Sequence, residues 1–223
     1  MKIFVSVQVL TVTAAVIAGC IIKSSVPDAG IADIQTYDDI QHIKFDCITT
    51  ADMAENDPIS SFGSTGIAYD STYNDAMFVC TAQNSFTFAN GVFRQEITID
   101  KQISGKCPEV GETIGLTVEG GIWHLPKNQY RYNEHLSSDI PDTQPLTILY
   151  LGGGNFMKPG HRYLVSCITK QLGSKTYYGT PYGKLCWLDL ADDPDELFYD
   201  TDEARNKAQA RKKKLLIKYG VVE

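Results

Sequence analysis

Short runs of β-branched and aromatic residues, cut by glycine, proline, asparagine and aspartate, recur along most of this chain and constrain its fold more than any other feature. The clearest are Ala76 to Ala82, Val92 to Asp100, Thr113 to Val118, Leu146 to Leu151, Tyr163 to Thr169 and Lys184 to Leu190. Runs this short, bounded by turn residues, read as strands. The stretch from Val92 to Asp100 partly alternates, as a strand does with one face in a core and one in water. Asn90-Gly91 just before it is a turn signal. The predicted fold class is mainly β, a rhythm shared by small barrels and immunoglobulin-like sandwiches.

Two regions depart from that rhythm. Residues 31–75 are less regular: Asp38 to Phe45 reads as a short helix or an extra strand, and Ile59 to Ser71 as a Ser/Gly-rich loop. At the other end a helix is expected at about 201–219, with Asp200 as its cap, Glu203 three positions on, and Gly220 placed to end it. Its cations gather toward the C-terminal half, where the helix dipole favours them. A basic helix can touch a membrane surface or an acidic partner; the simpler expectation is that Leu215, Leu216 and Ile217 pack it on the barrel.

The N-terminus has a different composition. Lys2 precedes an apolar stretch from Ile3 to Ile17, followed by Ala18, Gly19 and Cys20. This is the layout of a secretory signal, and it falls short of the roughly 18 to 20 residues a spanning helix needs. Ile17-Ala18-Gly19-Cys20 resembles the bacterial lipobox, with Ile where Leu is commonest. The resemblance implies cleavage before Cys20 and lipidation of its thiol and amine, including palmitate-type acyl chains; two or more chains anchor stably. Residues 1–19 are then a lipoprotein signal peptide and 20–35 a flexible tether, since Lys23 to Gly30 are small, polar and Pro/Gly-containing. The remainder, 36–223, is expected to form one β-barrel-like domain with its C-terminal helix. The expected location is the extracytoplasmic face of a cell membrane or outer membrane.

The formal charge is −7 overall and −8 once Lys2 is removed. That balance argues against nucleic acid as a partner and against electrostatic docking on anionic lipid. Of the six cysteines, assigning Cys20 to lipid leaves Cys47, Cys80, Cys107, Cys167 and Cys186, an odd number. Cys80, Cys167 and Cys186 lie in apolar runs where a free thiol behaves as a small buried hydrophobe, so at most one bridge is expected.

From Gly91 to Gly105, from Val110 to Val118 and from Met157 to Val165 the chain resembles netrin-like domains of the kind found in tissue inhibitors of metalloproteinases. Gly105, Gly111 and Gly160 stand at the turns of that pattern, and Tyr163-Leu164-Val165 forms its core strand. The resemblance implies a small OB-like Greek-key barrel. It does not carry protease inhibition, which in that family uses the free amine of a mature N-terminal cysteine, the group that lipidation of Cys20 would block.

No catalytic motif is legible, and no cofactor or metal is expected. Gly152-Gly153-Gly154 lacks the Lys-Ser/Thr of a phosphate loop, and Gly63-Ser64-Thr65-Gly66 lacks a nucleophile elbow. His42, His124, His135 and His161 show no paired spacing. Asp189, Asp192, Asp193, Asp195 and Glu196 lack the glycine of an EF-hand loop and read as a solvated acidic loop. The favoured ligand site is an aromatic loop from Gly121 to Tyr132. There Trp123, Tyr130 and Tyr132 can stack on a glycan or peptide and Arg131 can supply polar contacts; Tyr177, Tyr178 and Tyr182 form a second cluster. Partners are the membrane, through lipid on Cys20, and an envelope protein or glycan. An extracytoplasmic binding module is therefore expected. The rival is an envelope hydrolase or metal-dependent enzyme whose His, Asp or Cys side chains converge only in three dimensions.

Overall fold

The computed structural model describes residues 34–50, 59, 62–63, 73–89, 92–119, 121–126, 141, 144–151, 155–180, 185–191, 193 and 202–221. Their order is α1 (Tyr37–Gln41), β1 (Cys47–Thr50), β2 (Tyr73–Ala89), β3 (Val92–Gly105), β4 (Thr113–Glu119), β5 (Gly121–Pro126), β6 (Pro145–Leu151), β7 (Arg162–Leu172), β8 (Lys175–Gly179), β9 (Trp187–Asp189) and α2 (Asp202–Lys218). Cys20 and its surroundings, Asn90-Gly91, Gly152 to Gly154 and Asp200 lie outside the described residues.

Strands β2, β3, β4, β8 and β7 are hydrogen-bonded in that order, and β7 returns to β2, closing a five-strand barrel. All its pairs are antiparallel except β4 with β8. This is an OB-like Greek-key barrel, as expected, and closure removes the open edges a flat sheet would present. The 17-residue β2 lies against both β3 and β7, and register shifts at Met77/Phe78, Val79/Cys80 and Ala82/Phe86 add the twist that lets one strand turn the corner. Gly105 faces Ala76 across the ladder with φ +78°, and a Cβ there would stand 2.1 Å from the Asp75 carbonyl oxygen. Only glycine fits that position.

The barrel wall has two faces with separate cores. Ala76, Phe78, Cys80, Ala82 and Phe86 of β2 point inward with Phe93, Ile97, Ile99, Leu116, Tyr163, Val165 and Cys167. Met77 and Val79 point outward, where with Leu164, Leu185 and Leu188 they meet Ile59, Phe62, Ala208 and Leu216. Helix α2 therefore covers the β2–β7–β9 side. Ala208, Lys212 and Leu216 recur at the four-residue spacing that lines one helical face, and all are buried. Leu215 is half-buried and Ile217 is 50% exposed, so the expected apolar triplet packs through only part of its length. Three consecutive residues cannot share one face of a helix. Gly220 ends α2 with φ +63°: its N–H donates to the Ile217 carbonyl and that of Val221 to the Leu216 carbonyl, the Schellman arrangement.

At the N-terminal end of the described chain, α1 realises the helical alternative for Asp38 to Phe45. Thr36 caps it by accepting from the Asp39 N–H, and the Asp39 carboxylate accepts the Thr36 N–H in return at 2.8 Å. A second sheet has the order β1-β6-β5. Its β5 corrects the expected aromatic loop, because Gly121 to Pro126 pairs residue by residue with Pro145 to Tyr150. Pro126 and Pro145 lie opposite each other at the end of that ladder, a position where a missing N–H is tolerated.

Candidate functional site

Of the four residues favoured from sequence, only Trp123 is among the described residues. Trp123 lies on β5 opposite Ile148, while Tyr130, Arg131 and Tyr132 fall outside the described residues, as does Tyr182 of the second cluster. Tyr177 is exposed, and Tyr178 joins a different feature. It lines a cleft of about 350 Å³ between the β3–β4 and β7–β8 hairpins, with Gln102, Lys106, Cys107, Thr169 and Gln171. Burial, then the nearby Glu112 charge, pushes the Tyr178 phenol above its ordinary 10.0. The Cys107 thiol donates to the Met77 and Ser104 carbonyls, each at 3.1 Å. Gln171 accepts from Thr176 at 2.7 Å. The cleft is lined mainly by polar groups and carries one cation, Lys106.

A second constellation, missed from sequence, gathers where β7 begins, β9 ends and α2 crosses. The chain from Asn155 to Gly160 is held across the barrel by four hydrogen bonds. Trp187 Nε1 donates to the Asn155 carbonyl at 2.9 Å, Gln95 Nε2 to the Met157 carbonyl at 2.8 Å, the Lys158 N–H to Tyr163 Oη at 2.7 Å, and the Gly160 N–H to the Ala82 carbonyl at 2.9 Å. This framework sets Lys158 and His161 beside the turn that follows β9. His161 Nδ1 donates to Asp189 Oδ2 at 2.8 Å, and Asp189 Oδ1 accepts the Ala191 N–H at 2.8 Å. Lys158 pairs with Asp193, and the buried Lys212 of α2 reaches over to donate to the Ala191 carbonyl at 2.8 Å. The Asp189 and Asp193 side chains are 1% and 8% exposed, against 39% for His161. Two members of the expected solvated acidic loop are thus buried. Local periodicity does not show this, because Asp189 lies opposite Tyr163 on the inward side of β9 and its partner His161 is 28 positions away.

One donor atom from each of His161, Asp189 and Asp193 lies within 4.8 Å of the others, so these three residues can converge on a cation. His161 and Asp189 also form a histidine–carboxylate pair of the kind that orients a general base. No hydroxyl or thiol is hydrogen-bonded to the His161 ring among the described residues, so the pair is not joined to a nucleophile there. Cys80, Cys107, Cys167 and Cys186 form no disulfide among the described residues. Burial, reinforced by neighbouring charge, pushes the Cys80 and Cys167 thiols well above the ordinary value of 9.0, so at neutral pH they are packing groups rather than thiolates.

Fold and site together define an OB-like barrel with a polar cleft at one pair of hairpins and a buried charged seam where β7 begins and β9 ends. In comparisons with protein-family models, curated proteins and solved structures, nothing matches this chain.

Proposed function

We propose that this protein is a lipid-anchored, extracytoplasmic binding or interaction module, held to a membrane through Cys20 and presenting a netrin-like barrel to an envelope protein or glycan. The observation that carries the binding role is the cleft between the β3–β4 and β7–β8 hairpins, where Gln102, Lys106, Gln171 and Tyr178 present amides, a cation and an aromatic ring together. Barrels of this type bind through connecting loops and one face, and flat rings with amide donors suit sugars and extended peptides. The lipobox-like Ile17-Ala18-Gly19-Cys20 supports the anchor, with the tether giving the barrel reach from the bilayer.

The two halves of this reading are tested separately. Native protein extracted from membranes should carry diacylglycerol and acyl chains by intact mass, and Cys20→Ser should abolish them; unlipidated native protein refutes the anchor. Envelope glycan fragments and surface proteins immobilised in an array should retain the wild-type chain, and Lys106→Glu with Tyr178→Ala should weaken capture at least tenfold. Retention of no envelope component refutes the binding role.

A further inference from the structure

We propose that His161, Asp189 and Asp193 form a divalent transition-metal site latched shut by the Lys158 ammonium. Three observations carry the inference, and none depends on the cleft or the anchor. First, the donors are mixed, one imidazole and two carboxylates, a set that suits ions such as manganese, iron or zinc rather than the all-oxygen shells of calcium. Second, the donor atoms lie within 4.8 Å of one another, with His161 Nδ1 and Asp189 Oδ2 at 2.8 Å. Ligands about 2.1 Å from one ion sit roughly 3.0 to 3.4 Å apart, so side-chain movements of about an ångström complete the shell. Third, the site is built on rigid parts. The Ala191 N–H fixes Asp189 through its other oxygen, Lys212 holds the turn between the two aspartates through the Ala191 carbonyl, and the Trp187, Gln95 and Tyr163 bonds hold the chain that bears Lys158 and leads to His161.

Lys158 makes the site conditional. Its ammonium is paired with Asp193, where it supplies the positive charge that a metal would supply, and its side chain is 29% exposed. Metal entry therefore exchanges one cation for another: the ammonium turns out to water, Asp193 becomes a ligand, and the proton on His161 Nδ1 leaves that nitrogen and is carried on Nε2. Lys212 keeps its hydrogen bond to the Ala191 carbonyl throughout.

The test uses the full chain without a histidine tag and Mn²⁺ as the probe, since cysteine thiols elsewhere in the chain would also draw zinc. Mn²⁺ bound to the protein is counted by loss of the free-ion paramagnetic resonance signal. The expected result is one Mn²⁺ per chain, at least tenfold weaker binding in His161→Gln and in Asp193→Asn, and at least tenfold tighter binding in Lys158→Met, where the competing ammonium is gone. Lys158→Met keeps its test independent of the ligand substitutions, which can disturb folding. The inference is overturned if neither wild type nor Lys158→Met binds one equivalent, if Lys158→Met binds no tighter than wild type, or if binding survives both ligand substitutions unchanged.

Discussion

The two sides of this barrel are built from the same kind of strand and solve opposite problems. On the side covered by α2, the middle stretches of β2 and β7 are buried on both faces: Phe78, Cys80, Val165 and Cys167 point inward, while Met77, Val79 and Leu164 point outward to the helix. On the open side, β3 and β4 point mostly apolar residues inward, Ile97, Ile99 and Leu116 with the buried Gln95 among them, but their outer face is polar. There Gln83 Nε2 donates to Thr98 Oγ1 at 3.0 Å, Thr98 and Thr113 share a hydrogen bond at 2.9 Å, and Thr81 donates to Asp100, which also accepts from Arg162 at 3.0 Å. The difference explains the sequence texture: continuous apolar runs mark strands covered on both faces, and alternation marks strands that meet water. Asp189 is buried by a different route: it lies opposite Tyr163 on the inward side of β9, hydrogen-bonded to His161.

The sharpest way to break this comparison is to truncate equivalent outward positions. Leu164→Ala should cost about 2–5 kcal/mol by urea denaturation, because it empties space between barrel and helix, whereas Thr98→Ala on the open wall should cost about 1 kcal/mol or less. Equal costs would mean that α2 does not act as a second core. Lys212 sharpens the same point. Lys212→Ala should lose about 1–3 kcal/mol, from the vacated volume and an unpaired Ala191 carbonyl, and Lys212→Met should recover most of the packing part. If the two variants denature alike, the buried amine rather than its aliphatic stem dominates.

The inward face has its own signature. Cys80 and Cys167 keep their protons in the folded barrel above the ordinary thiol value of 9.0, whereas the unfolded chain releases them there. Because their folded values are raised, this contribution is fully present below that value and is lost as the pH climbs past it, at up to about 1.4 kcal/mol per unit for each thiol. Thermal melts from pH 8 to 10.5 should therefore fall more steeply for wild type than for a Cys80→Ala, Cys167→Ala double variant. The smallest effect is expected at Ile217, 50% exposed on α2, where Ile217→Lys should change stability by no more than about 0.5 kcal/mol.

Much of the architecture was legible. The β rhythm indicated a mainly β fold, the netrin-like resemblance implied an OB-like barrel, and the glycines at 105, 111 and 160 that stand in that pattern do have positive φ. The C-terminal helix and its Gly220 stop were visible because capping and charge placement are local. Less visible were β5, where Gly121, Trp123 and His124 read as loop until β6 supplied its partner, and β8, whose Lys175 to Gly179 pairs on both sides despite an exposed, polar sequence. The aromatic site favoured from sequence rests on residues beyond the described ones apart from Trp123. The charged seam had no local sign at all, since His161 and Asp189 are 28 positions apart.

By itself, then, the sequence determined what short-range physics can determine: which segments extend, where the chain turns, and how its last helix starts and stops, because φ/ψ preference, side-chain alternation and capping act within a few residues. Only the tertiary structure decided which strand faces α2 and which faces water, and which acidic side chains are buried. Burial and convergence are properties of what packs across the barrel. No residue carries that information until the five-strand circuit closes and the helix lies down on one side of it.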